Sequence, residues 1–273
     1  MELGIPQHLP KRMILVRHGE SKANADPSEW CRTPDWKIEL TDRGKEQARE
    51  AGIKVKKLVG DDPVYFYVSP YRRAQETLAQ LKPSFPIKQV VGEREDPRLR
   101  EQDVGNFQDL ERMKAIWRER DEFGRFFYRF PNGENGADVC DRVSSFLDSL
   151  FRERKVRAQP VDTNVVIVTH GLMIRLFIKR WFHLTVDVFH EMKNPGNCDF
   201  VVLERETHLY RRMVLQEESK RLIGLPEDVY FEGRYRTKRL TAGDMKAANN
   251  AQSRGDKVPS PPPPSDDQVI FVP

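Results

Sequence analysis

The chain has 273 residues, 38% of them apolar, and 46 basic against 42 acidic side chains for a net charge of +4. That length buries a core without disulfide or metal staples, and the near balance of charge excludes the strongly basic footprint of a nucleic-acid-binding protein. Cys31, Cys140 and Cys198 form no CxxC pair, no secretory or lipid-anchor pattern is present, and no apolar run approaches the ~20 residues of a membrane span, so a cytoplasmic protein without a metal centre is expected.

Residues 1–12, with Pro6 and Pro10, read as an N-terminal extension. Met13-Ile14-Leu15-Val16 is the first compact apolar run and the first expected strand. Thr41 is placed to cap a helix running to about Val59, with Ala48, Ala51, Val55, Leu58 and Val59 on one face. A strand over Val64 to Val68 leads to a helix from Tyr71 to Leu81, stopped by Pro83. Ile87 to Val91 is a third strand. Leu110 to Phe127 and Ala137 to Phe151 carry helical spacing, the first through Met113, Ile116, Trp117 and Phe123. Val165 to Val168 is a fourth strand, followed directly by an apolar helix over Leu172 to Phe182. Phe200 to Leu203 and Leu209 to Leu215 form a last strand pair.

The clearest strand runs lack polar alternation, as strands covered on both faces do. Their alternation with helices predicts a three-layer α/β/α sandwich with a mostly parallel central sheet over residues 13–215. Composition turns polar near residue 216. Residues 216–240 read as a polar extension and 241–273 as a disordered tail, poor in large apolar residues. Pro259 to Ser265 is a polyproline II segment. Linker-like disorder outweighs its use as a dock for an SH3- or WW-type module. The basic Arg221, Arg234, Arg236, Lys238 and Arg239 read as a solvated face.

Chemistry concentrates where strands end. Arg17-His18-Gly19-Glu20-Ser21, then Asn24, follows the first strand, and Thr169-His170-Gly171 follows the fourth. Ligands of open α/β sheets bind at carboxyl ends of strands, and parallel strands would bring both histidines to one edge. Backbone N–H groups near Gly171 would open a helix N-terminus. Ser69-Pro70-Tyr71-Arg72-Arg73 follows the second strand and brings guanidiniums whose fork matches phosphate oxygens. Leu99 to Gly105 supplies Glu101 as a candidate general acid, with Glu20 and Asp103 as rivals that the sequence does not separate. His8, His183, His190 and His208 have no partner at ligand spacing, and Arg175 either approaches the pocket or pairs on a helix face.

Together these segments resemble the histidine phosphatase superfamily, the phosphoglycerate-mutase-like fold, over about Met13 to Leu215. Arg17 to Asn24 carries the Arg-His-Gly-Glu-Ser-x-x-Asn signature, and Ser69 to Thr77 is similar to the Ser-x-x-x-Arg-Ala-x-x-Thr segment, which selects Arg73 over Arg72. Stretches at Tyr65–Tyr71, Arg98–Gln108 and Gly124–Pro131 are similar to a plant and fungal subgroup of phosphoglycerate-mutase-like proteins.

The resemblance implies His18 as a nucleophile that becomes phosphohistidine and Glu101 as proton donor and acceptor. It implies Arg17, Arg73 and His170 as catalytic groups around the phosphoryl oxygens, and Arg17, Ser21, Asn24, Arg73, His170 and Gly171 as the phosphate-binding set. The expected substrate is a small phosphomonoester. No cofactor or metal is expected, 2,3-bisphosphoglycerate being needed only by a mutase. Mutases of this family carry Asn after the second His-Gly, where this chain has Leu172, so hydrolysis is favoured over phosphoryl transfer. A non-catalytic phospholigand-binding module is the third reading, disfavoured because none of these residues is missing. An insertion between Gly105 and Asp138, with Trp117, Phe126, Phe127, Tyr128 and Phe130, is the expected cap over the pocket, at least half of its aromatics being core.

Overall fold

The computed structural model describes residues 9–106, 109–156, 160, 162–206 and 213–225. Six strands, β1 (Arg12–Arg17), β2 (Val64–Val68), β3 (Val90–Glu95), β4 (Asn164–Thr169), β5 (Phe200–Arg205) and β6 (Met213–Leu215), form one sheet in the order β3-β2-β4-β1-β5-β6. The neighbours β3, β2, β4 and β1 run parallel, and β5 and β6 add antiparallel pairings at one side. The helices are α1 (Lys22–Ala25), α2 (Glu29–Arg32), α3 (Asp42–Val59), α4 (Arg72–Leu81), α5 (Leu110–Phe123), α6 (Gly136–Val156), α7 (Gly171–Trp181), α8 (Val186–Glu191) and α9 (Glu217–Leu222).

The two-residue period of the strands sorts the core. Ile14, Val16, Val64, Phe66, Val68, Val166 and Val168 face one layer, packed on α3 and α4 through Ala48, Ala51, Val55, Leu78 and Leu81. Met13, Leu15, Tyr65, Tyr67, Val165 and Ile167 face the other, packed on α6 and α7 through Val143, Phe146, Ile174 and Phe177. The result is a three-layer α/β/α sandwich around a mostly parallel sheet. Thr41 caps α3, its hydroxyl accepting from the Gly44 N–H at 3.0 Å. Among the described residues no helix is long and apolar enough to cross a membrane.

Three sequence expectations need correction. The third strand is Val90–Glu95, because Ile87–Gln89 is a 3₁₀ turn that leaves Ile87 92% exposed. Among the described residues only β2 pairs with this strand, so its burial alternates and no continuous apolar run marks it. The helix expected to reach Phe127 stops at Phe123, where Gly124 caps it at φ +109°. Of the last expected strand, Leu209 to Leu215, Met213–Leu215 is strand, and 209–212 fall outside the described residues. The packed chain also continues past residue 216: the Ser219 hydroxyl of α9 accepts from the Val202 N–H at 2.8 Å, and Ile223 and Leu225 join the larger core. The expectations for residues 1–8 and 226–273, the Pro-rich segment included, and for His208 fall outside the described residues.

Candidate active site

Sheet register assembles the site. Arg17 pairs with Thr169 across β1 and β4, so the next residue of each strand, His18 and His170, stand side by side with ring centroids 5.2 Å apart. The Ser69 N–H donates to the Val168 carbonyl and the Asp96 N–H to the Val68 carbonyl, so the exits of β2 and β3 meet the same edge. The Thr169 hydroxyl donates to the Leu99 carbonyl at 2.8 Å and ties the Glu101 loop to it.

His18 is buried, and its Nδ1 lies 2.7 Å from the Gly19 carbonyl. A carbonyl only accepts, so Nδ1 carries the proton and Nε2 keeps its lone pair. Burial first, then the Arg73 and Arg17 guanidiniums, push the His18 pKa well below the ordinary histidine range. A neutral imidazole with a free Nε2 is a nucleophile. The turn that presents it is close-packed. A Cβ on Gly19 would lie 2.4 Å from the Gly44 carbonyl oxygen, and the Gly19 N–H donates to the Thr77 hydroxyl, which itself donates to the Arg73 carbonyl.

Cations surround this ring. Arg73, buried on the first turn of α4, lies over the Tyr71 ring at 4.9 Å. Arg72 points away, paired with Glu76 and Glu39 on the surface. Arg17 donates to the Pro195 carbonyl at 2.5 Å, and its Nε is buried without a protein partner. His170 is fully buried, with Nε2 2.7 Å from the Ser69 hydroxyl and Nδ1 without a protein partner. Burial, Arg73 and His18 hold His170 well below the ordinary histidine range, so it too is neutral. Arg17 Nε and His170 Nδ1 are thus buried polar atoms left for a ligand.

Three other predicted anion-binding residues are partly committed to the fold. The Ser21 hydroxyl accepts from the Asn24 N–H and caps α1, so its own O–H is what remains to donate. The Asn24 carboxamide oxygen accepts from the Ser21 N–H and from Asn197, which leaves its NH₂. Gly171 opens α7 directly after His170.

Glu101 separates from its rivals by placement. Glu20 accepts from the Thr41 hydroxyl and pairs with Arg43 at the start of α3, and Asp103 is exposed and accepts from the Gly105 N–H. Glu101 instead lies in the field of Arg17 and Arg73. Burial raises its pKa and the nearby Asp35 adds to this, against the Gln102 N–H and the two guanidiniums. Arg142 of α6 fixes the loop from behind. It donates to the carbonyls of Arg98, Arg100 and Glu101 and forks onto Glu134 at 2.9 and 2.8 Å.

Sequence reasoning missed Arg142 and Glu134. It also missed Asp35, whose side chain holds Arg73 (Oδ1 to NH1 2.9 Å, Oδ2 to NH2 3.4 Å) and accepts from Trp30 Nε1. Asn197 was missed as well; it donates to the His18 carbonyl. Arg175 is buried on α7, donates to the Met192 carbonyl and lies over Phe189, its pKa lowered to about 10 by burial. Among the described residues no group of three His, Cys, Asp or Glu side chains gathers as a metal ion requires.

The sequence profile of the histidine phosphatase superfamily (branch 1) matches residues 13–216. The phosphoglycerate mutase-like protein AT74H of Arabidopsis thaliana is 50% identical over 209 residues, covering 72% of this chain and 74% of that protein. The broad-range acid phosphatase DET1 of Saccharomyces cerevisiae is 30% identical over 293 residues, covering 74% and 87%. Among solved structures, a mycobacterial glucosyl-3-phosphoglycerate phosphatase complexed with VO3 superposes with a TM-score of 0.58 at 25% identity, over 76% of this chain and 97% of that one. The paired His-Gly strand ends, the sheet that aligns them and these matches agree: the chain belongs to the histidine phosphatase superfamily.

Proposed function

We propose that the protein is a phosphatase for small phosphomonoesters that works through a phosphohistidine on His18. The observation that carries this reading is the His18 ring itself, neutral, with Nδ1 tied to the Gly19 carbonyl and Nε2 free among Arg17, Arg73 and His170. Nε2 attacks phosphorus, the N–P bond forms, and the bond to the ester oxygen breaks. Glu101, whose pKa burial raises, gives its proton to the departing oxygen. Its carboxylate then takes a proton from the water that attacks phosphohistidine, and orthophosphate leaves. Arg17 and Arg73 stabilise charge on the phosphoryl oxygens as fixed donors. His170 Nδ1, buried and unpartnered, adds a hydrogen bond, and a bound dianion favours its protonation. Ser21, Asn24 and the Gly171 backbone complete the phosphate set, and the 105–138 insertion caps the pocket.

Relatives named as phosphatases support hydrolysis, and so does Leu172, which offers no polar atom on the first turn of α7. A mutase must hold a second anionic group while it retains the phosphoryl group. The test is hydrolysis of p-nitrophenyl phosphate in EDTA between about pH 4.5 and 8, across the carboxyl and imidazole ranges. His18→Ala runs beside it. Activity that survives chelation and is lost with His18 supports the reading. Interconversion of 2- and 3-phosphoglycerate primed by 2,3-bisphosphoglycerate, without net hydrolysis, would replace it with a mutase.

A further inference from the structure

A cavity of about 320 Å³ lies between the segment Trp30–Asp35 and the segment Val104–Asn106. It shares walls with the site on two sides. Asp35 lines it, and the same carboxylate holds the Arg73 fork. Its opposite wall begins three residues after Glu101, on the same loop. The ester oxygen must leave phosphorus beside the acid that protonates it. The group attached to that oxygen therefore departs towards the space that Asp35 and the Glu101 loop enclose. The volume suits a small leaving group, at the low end of ligand pockets.

The wall chemistry selects among such groups. Arg32 also lines the cavity, but its charge is met by Asp26 at 2.7 Å and Glu29 at 3.2 Å. Asp35 is balanced by Arg73 alone among the cations that the ion pairs show. A bound phosphoryl dianion claims that guanidinium, and the carboxylate of Asp35 then faces the leaving group with its charge less compensated. A hydroxyl can donate to it, whereas a second carboxylate or phosphate meets like charge at short range.

We propose that this cavity seats the leaving group and that Asp35 is a specificity-determining residue, admitting neutral hydroxyl-bearing alcohols and rejecting acidic ones. The proposal rests on the phosphatase reading above and adds the substrate class.

Glycerol 3-phosphate and 3-phosphoglycerate test it, because they share skeleton and phosphate and differ in a hydroxymethyl against a carboxylate. The wild-type protein at low salt should favour glycerol 3-phosphate by about tenfold or more in kcat/KM, the gap lying in KM. Asp35→Asn keeps an acceptor for Trp30 and Arg73 and should narrow the ratio to about threefold or less, while Asp35→Glu should retain most of it. In the wild type, raising salt from about 20 to 500 mM should narrow it too, as screening of a like-charge contact requires. In His18→Ala, the ratio of calorimetric Kd values for the same two esters reads the selection without turnover.

A ratio near one in the wild type, or one unmoved by both Asp35→Asn and salt, overturns the charge filter and leaves the phosphatase intact. Hydrolysis that survives His18→Ala overturns the phosphohistidine and leaves the ratio standing.

Discussion

The sheet edge and the 105–138 insertion are built on opposite plans. At the edge, Arg17, His18, Ser69 and His170 follow strands that are buried almost without interruption, and their positions are set by backbone register. The insertion has its own small core of Met113, Ile116, Tyr128 and Phe130, with Trp30 and Trp117 packed edge to face at 5.3 Å beside it. Around that core it is wet: Phe123 and Phe127 are exposed, and α5 pairs Lys114 with Glu111 on its surface. Of the expected insertion aromatics, Phe126, Tyr128 and Phe130 are core. The candidate catalytic residues thus sit where the chain has least freedom. The insertion's cluster packs apart from the two that cover the sheet.

The largest effect should come from the edge. His18→Ala should lower kcat for p-nitrophenyl phosphate by about four orders of magnitude or more, with the protein still folded by circular dichroism, because no covalent step remains. Glu101→Gln should come next, and its effect should depend on the leaving group. The loss should be about 10²- to 10⁴-fold on an alkyl phosphate, which needs a proton, and much smaller on p-nitrophenyl phosphate, whose phenolate leaves unaided.

The pH profile gives the sign. Activity on alkyl esters should fall as pH rises through the raised pKa of Glu101. At the other limb it should fall only when pH drops through the depressed pKa of His18. Glu101→Gln should erase the alkaline limb of kcat/KM, and a limb that persists would assign it to another group.

Arg142→Lys should cost about 10- to 100-fold in kcat on the same alkyl ester, with p-nitrophenyl phosphate affected least. A lysine cannot reproduce the fork onto Glu134 while also holding three loop carbonyls, and a small displacement of the acid is enough. Equal losses on both esters would make Arg142 a support of the whole fold, not of the acid. The smallest catalytic effect should follow Met113→Ala. The cavity it leaves should weaken the insertion by about 2–5 kcal/mol and expose it to limited proteolysis, while kcat for p-nitrophenyl phosphate changes less than about threefold. A tenfold loss would show that the two regions are not separable.

Legibility follows the same division. The strands that deliver Arg17, His18, Ser69 and His170 could be read because continuous burial leaves a continuous apolar run, and the Thr41 cap because its hydroxyl acts three residues away. Asp35 could not be read. It opens a single 3₁₀ turn, and its contact with Arg73 spans 38 residues that no local pattern links. Arg142 on α6 looks like any solvated helix charge until its partners at Arg98, Arg100 and Glu134 are in place. β3 was displaced because its edge position removes half of its burial. Just past α9, Ile223 and Leu225 were hidden by the charges around them, since average composition cannot tell two buried residues from none. Ser21 and Asn24 match a signature, yet much of their hydrogen bonding closes the turn after His18.

The place of β1 in the sheet has a consequence for how the chain becomes active. Its neighbours are β4 and β5, so this strand pairs with strands made more than a hundred residues later. The His18 N–H waits for the Thr169 carbonyl, and the His18 carbonyl for Asn197. Pairing at such separation forms slowly. A nascent or truncated chain that ends before β5 therefore carries the complete nucleophile motif but not the turn geometry that presents it. On the proposed mechanism, a chain that ends before β5 should therefore show no phosphatase activity.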